Sequence, residues 1–265
     1  MAIRTEDINW RPRTAPEALT ALELLSSRLR EVGDHRAVFI DVYEVITRQV
    51  VNVMHAEDHT GFLDPTWLSE LTGLFAEEAL IATRCSLLGE PVTSASWRIA
   101  TRCSGNRVTA PWQSAFLGIN AHINYDLGLV VHSYLRAHRD RIDATQLRRY
   151  HQDYQRVNRL LEQSVFECAD VLIDRYRCQA TTAARYVPLG RRVGAQGVML
   201  MLVSWRDQAW RDILALWNAR DERVRARILR RMDRRAGRIA QAITAGPTLG
   251  RSLRALGSMI WRAVD

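Results

Sequence analysis

Gly118-Ile-Asn-Ala-His122-Ile-Asn-Tyr-Asp126-Leu127 is the stretch on which the fold turns. It lies within a segment predicted to be helical from Pro111-Trp112 to about Asp140, a central helix over 111–140. In that segment Phe116, Leu117, Ile119, Ile123, Leu127 and Val130 project in every direction. A helix that is apolar all round is a buried one, so other helices must surround it. Yet its middle carries Asn120, His122, Asn124 and Asp126. At about 100° per residue, Asn120 and Asn124 share one side while His122 and Asp126 share nearly the opposite one. Buried polar side chains need partners, each unpaired one costing about 1–3 kcal/mol. Polar groups are therefore expected on the neighbouring helices.

Working outward, the helical period dominates the chain and almost nothing alternates as a strand would. An arm with Pro12 and Pro16 leads to a helix over about 15–32, and a second helix runs from about Arg36 to Glu57. Asp64-Pro65 opens a third, Asp as N-cap and Pro at the first helical position, reaching about Leu88. Residues 89–110, rich in Gly, Pro, Ser and Asn, read as a long connection. After the central helix, Asp143-Ala-Thr-Gln precedes a fifth helix to about Arg177, and a loop covers roughly 178–192. Helices near 194–219, 222–244 and 248–263 complete the chain. The expectation is an all-α, single bundle-like domain over 1–265, with about eight helices around the central one. Residues 1–14 form its arm and 221–265 its basic C-terminal helices.

Composition narrows the chemistry. All 37 basic side chains are arginine, so no Schiff-base lysine, P-loop lysine or kinase-type lysine exists. Arginine still offers a planar fork to carboxylate or phosphate. The net charge of +8 raises the question of nucleic acid. Its densest run, Arg223 to Arg235, is diluted by Asp233 and carries Val224, Ile228, Leu229 and Met232 at helical spacing. That pattern is the solvated face of an amphipathic helix, so nucleic acid is not an expected partner. The four cysteines lie far apart, and the first residues lack an apolar leader, which points to reduced thiols and a cytoplasmic location. No apolar run is long enough to span a membrane. No G-x-G-x-x-G follows a strand, so no nucleotide cofactor is expected.

Partners for the central polar groups can be named. Glu78 sits amid an apolar face of the third helix with Trp67, Leu71, Leu74 and Phe75. Tyr154, Asn158 and Leu161 share a stripe on the fifth helix, flanked by His151 and Asp153. His55 and His59 stand one turn apart at the end of the second helix, where an exposed pair is the default. The segments Gly118 to Leu127 and His151-Gln-Asp-Tyr-Gln-Arg-Val-Asn158 resemble signature blocks of an uncharacterised helical family, domain of unknown function 5995. Phe62-Leu-Asp-Pro-Thr-Trp67 and Arg206-Asp-Gln-Ala-Trp210 are similar in kind, and the likeness covers most of residues 35–220. The resemblance implies an all-helical fold and brings no reaction with it.

Three uses of His122-x-x-x-Asp126 follow from residue type. It can be a hydrogen-bonded structural pair, a metal-free acid–base site, or two ligands of a divalent metal completed by Glu78, His151 or Asp153. The functional expectation is a small-molecule enzyme acting on a largely apolar substrate by proton transfer or elimination, as an isomerase, lyase or cyclase. His122, Asp126 and Glu78 are its catalytic candidates. Asn120, Asn124, Asn158, Tyr154 and Trp112 are its candidate substrate contacts. His122, Asp126, His151 and Asp153 are the candidate metal ligands. The alternatives are a non-catalytic helical carrier or partner-binding protein, whose polar core only specifies packing, and a metal-dependent hydrolase.

Overall fold

The computed structural model describes residues 3–56, 61–178 and 188–245, with side chains throughout except at 188–191. Its described residues are helical and contain no strand. In chain order the helices are α1 (Ala15–Glu31), α2 (Ala37–His55), α3 (Pro65–Leu88), α4 (Ala95–Gly105) and α5 (Pro111–Ala121). A π-helical turn, His122–Asp126, joins α5 to α6 (Leu127–Ala137) without a break, so the three form one rod. Then come α7 (Ala144–Asp174), α8 (Pro188–Trp217) and α9 (Glu222–Ala245).

Local chemistry sets several boundaries. The Asp64 carboxylate accepts from the Trp67 amide at 2.9 Å, with Pro65 at the first helical position, and starts α3. Gly89 ends α3 in the left-handed region at φ +69°. The Asp143 carboxylate caps α7 at the Gln146 amide, 2.7 Å away. Residues 89–110 are not one connection: α4 lies inside them. Ser94 caps it at the Trp97 amide, and Trp97, Ala100, Thr101 and Ser104 form its buried stripe. The abundance of Ser, Gly and Arg masked that period. Likewise α8 starts at Pro188, inside the expected 178–192 loop, because proline at a helix start is favourable rather than disruptive. His59 and the helix expected over 248–263 lie outside the described residues.

The rod is packed on by α2, α3, α4, α8 and α9, while α7 bridges α2 and α8. Leu117, Ala121, Val131 and Leu135 along it are fully buried. One main core, including Leu22, Ile40, Trp67, Trp97, Leu117, Tyr154 and Ile213, runs through the assembly. Among the described residues no helix is long and apolar enough to cross a membrane.

Candidate functional site

The π turn sits in the middle of the rod, its widened register marked by the Leu127 amide donating to the His122 carbonyl. Such turns recur at functional sites because they re-aim side chains within a helix. Here the turn carries His122 and Asp126, which are 4% and 1% exposed. His122 Nδ1 lies 3.3 Å from Asp126 Oδ2, and the Trp97 indole N–H donates to the same oxygen at 2.8 Å. A carboxylate oxygen can accept both, so the network assigns the proton to Nδ1 and leaves Nε2 as a bare acceptor. Four aromatic rings enclose the imidazole. Phe75 stacks on it at 3.4 Å between centroids, Tyr43 meets it edge-on at 4.4 Å, and Phe39 and Trp97 stand farther out.

This enclosure decides the protonation. Burial holds the His122 imidazole well below its ordinary pKa, so it is neutral. Burial, helped by the Glu78 charge, pushes the Asp126 carboxyl well above the usual range, against the Trp97 hydrogen bond. Burial also raises Tyr43, so its phenol stays protonated. Asp126 is thus the orienter of a neutral imidazole whose free nitrogen can take up a proton.

A cavity of about 110 Å³ adjoins His122, walled by Phe39, Tyr43 and Ile46 of α2, Trp67, Leu71 and Phe75 of α3, Ile119 and Ile123 of the rod, Tyr154 and Leu161 of α7, and Leu202 and Arg206 of α8. Five buried side-chain polar atoms among the described residues have no hydrogen-bond partner. Three of them, His122 Nε2, the Tyr43 hydroxyl and Trp67 Nε1, belong to residues that wall this cavity. Thr47, the polar neighbour of the Tyr43 hydroxyl, spends its own proton on the Tyr43 carbonyl at 2.9 Å.

At α7 and α8 the wall is charged. Arg206 is 5% exposed; its Nε donates to Asn158 Oδ1 at 2.7 Å and its Nη2 to the Tyr154 carbonyl. The guanidinium also lies 4.2 Å over the Tyr154 ring, whose hydroxyl donates to the Arg206 carbonyl at 2.6 Å. Tyr154 therefore walls the cavity directly, while Asn158 touches it only through Arg206.

The remaining candidates are dispersed. Glu78 is half-buried on α3, near enough for its charge to act on Asp126, yet it is not part of the cavity wall. Burial and the neighbouring Glu77 raise its pKa. Asn120 donates to the Ala236 carbonyl at 2.9 Å, and Asn124 donates to Asn120 at 3.1 Å, so this pair braces the rod against α9. Trp112 packs with Val38, Val42 and Leu172 in a separate cluster. His151 stacks on Trp210, and Asp153 accepts from the Leu63 and Asp64 amides and pairs with Arg156. Hence His122, Asp126, His151 and Asp153 do not form one ligand set. Among the described residues no three His, Cys, Asp or Glu side chains converge as metal donors. His55 is exposed.

A profile for one protein family matches residues 15–246, nearly the whole chain. The chain belongs to DUF5995, a family of unknown function. No curated protein and no solved structure matches it. Membership in DUF5995 supplies no chemistry, so the site rests on its geometry. Four side chains in that geometry are not among the candidate site residues read from the sequence. Tyr43 and Phe75 sit among apolar neighbours where an aromatic is ordinary core. Trp97 belongs to the helix hidden in the expected connection. Arg206 stands next to Asp207, as a surface charge would. Only the apolar sequence on either side of Arg206, Val198 to Trp205 and Ala209-Trp210, hints at burial.

Proposed function

We propose that this protein is a small-molecule enzyme that moves a proton on a largely apolar substrate held beside the rod, in the manner of an isomerase or lyase. One observation carries the reading: three of the residues that wall a single apolar cavity each hold a buried polar atom with no hydrogen-bond partner. Each costs about 1–3 kcal/mol, a heavy burden against a total stability of about 5–15 kcal/mol. A core selected only for packing would shed them. A substrate with one polar centre would satisfy them.

The roles follow from protonation. His122 Nε2, a bare acceptor on a residue of the cavity wall, is the base. Asp126 accepts the hydrogen bond from Nδ1–H and so fixes the ring and its tautomer while Nε2 takes up the proton. Tyr43, held protonated against the imidazole edge, is the hydrogen-bond donor to the substrate's polar atom, and His122 gives the proton it has taken back to the substrate at its new position. Trp67 Nε1 is a second donor. Glu78 acts through Asp126, whose proton affinity its charge increases.

The test is deuterium exchange. The protein is incubated in heavy water with a panel of small apolar ketones, acids and alkenes, and nuclear magnetic resonance follows exchange at carbon. At least one compound should exchange with the wild type and none with His122→Asn. Binding of panel compounds without exchange by the folded wild type would replace the enzyme with a carrier.

A further inference from the structure

We propose that Arg206 anchors the substrate's anionic head, and that the cavity takes a small apolar carboxylic acid of about half a dozen non-hydrogen atoms. This rests on the proton-transfer reading of the same cavity and names its substrate class. The buried charges of the protein differ in one respect. Asp41, Glu44, Asp153 and Asp212 each hold at least one arginine. Arg206, equally buried, meets only neutral acceptors, the Asn158 amide and the Tyr154 carbonyl, together with the Tyr154 ring. Its chain neighbour Asp207 turns instead to Gln155 at 3.3 Å. Nη1 makes no hydrogen bond among the described residues.

A buried cation is normally paired, and this one, part of the cavity wall, has no carboxylate in hydrogen-bond contact; the Asp207 charge acts on it only through space. Its planar fork is fixed on one edge by Asn158 and Tyr154, which prepares it for a planar, two-oxygen anion. Phosphate is disfavoured, because the rest of the wall is almost wholly apolar and offers no second cation. Size gives the rest. At about 110 Å³ the space is smaller than the roughly 150 Å³ that admits benzene, so short branched or cyclic acids fit.

The experiment measures binding of 2-methylpropanoate, 3-methylbutanoate and cyclobutanecarboxylate, each against the matching primary alcohol, to the full-length wild type by calorimetry. The acids should bind about tenfold tighter or more, the worth of one charge-assisted hydrogen bond. Arg206→Gln keeps donors for Asn158 and Tyr154 and should abolish that preference while leaving alcohol binding in place. Arg206→Lys, with charge but no fork, should fall between. Equal binding of acids and alcohols by the wild type, or no binding of either, overturns the anchor without any variant having to fold. Carboxylate preference without deuterium exchange would sink the proton-transfer reading and leave the anchor standing. Exchange of neutral compounds with no preference for acids would do the reverse.

Discussion

Tyr43→Phe should make the protein more stable and less active. The ring is 5% exposed and packs against Phe39 at 5.7 Å, His122 at 4.4 Å and Phe75 at 6.1 Å between centroids. Phenylalanine keeps every one of these contacts. What it removes is a hydroxyl without a hydrogen bond, whose desolvation costs about 1–3 kcal/mol. Against this stands the loss of a few dispersion contacts of about 0.1–0.2 kcal/mol each. Tyr43 is already part of the cavity wall. The net gain is about 0.5–2 kcal/mol. For a chain of this size 1 kcal/mol moves the midpoint by about 2–4 °C, so calorimetry should show a rise of about 1–8 °C. The same variant should lose most deuterium exchange. A fall in melting temperature would refute the reasoning, because it would mean that the hydroxyl is already satisfied, for instance by an ordered water. A core tyrosine would then explain it fully.

Asp126→Asn retains an oxygen for the Trp97 indole and removes a carboxyl whose pKa burial has raised. A raised folded pKa means stability that is full below the unfolded value and is lost as pH rises through the folded one. Urea titrations should therefore show the variant gaining on the wild type as pH climbs from about 4, and no widening gap would contradict the burial. Gly118→Ala places a Cβ against the Phe39 ring and 2.7 Å from the Phe39 Cβ. Overpacking of this kind costs about 1–3 kcal/mol, and because Phe39 walls the cavity, ligand affinity should fall with it. Asp153→Ala strips acceptors from the Leu63 and Asp64 amides and leaves Arg156 unpaired. A loss of about 3–5 kcal/mol with ligand binding retained in the folded fraction is the expected outcome; a neutral effect would show that α3 is positioned by other means.

The central helix was legible because its evidence is local. Apolar residues all round imply burial whatever surrounds them, and four polar residues in that setting imply partners. The same geometry separated Asn120 and Asn124 from His122 and Asp126, and the structure keeps them apart, the asparagines on α9 and the histidine on the cavity. Which side would be the cavity was not legible, since the partner face of α9 is a backbone carbonyl, invisible to residue type. The caps at Asp64 and Asp143 were readable for the same local reason, whereas α4 lost its period among Ser, Gly and Arg. Tyr43 and Arg206 needed tertiary context: an aromatic on an apolar helix and an arginine beside an aspartate each have an ordinary reading. Glu78 shows the converse, a carboxylate on an apolar face that ends half-buried behind the dyad. Nothing in residue type announces the π turn, which depends on the packing around the rod.

The most direct test of the site is the nitrogen resonance of His122 itself. Protein labelled with ¹⁵N, observed through long-range proton–nitrogen correlations from pH 5 to 8, reports which ring nitrogen bears the proton. The predicted result is a neutral ring throughout, protonated at Nδ1 with Nε2 bare, since burial holds its pKa well below the ordinary value and Asp126 accepts from Nδ1. A ring protonated at Nε2 would leave no base facing the cavity and would contradict the proposed chemistry, and one that charges within that range would contradict the burial that keeps it neutral.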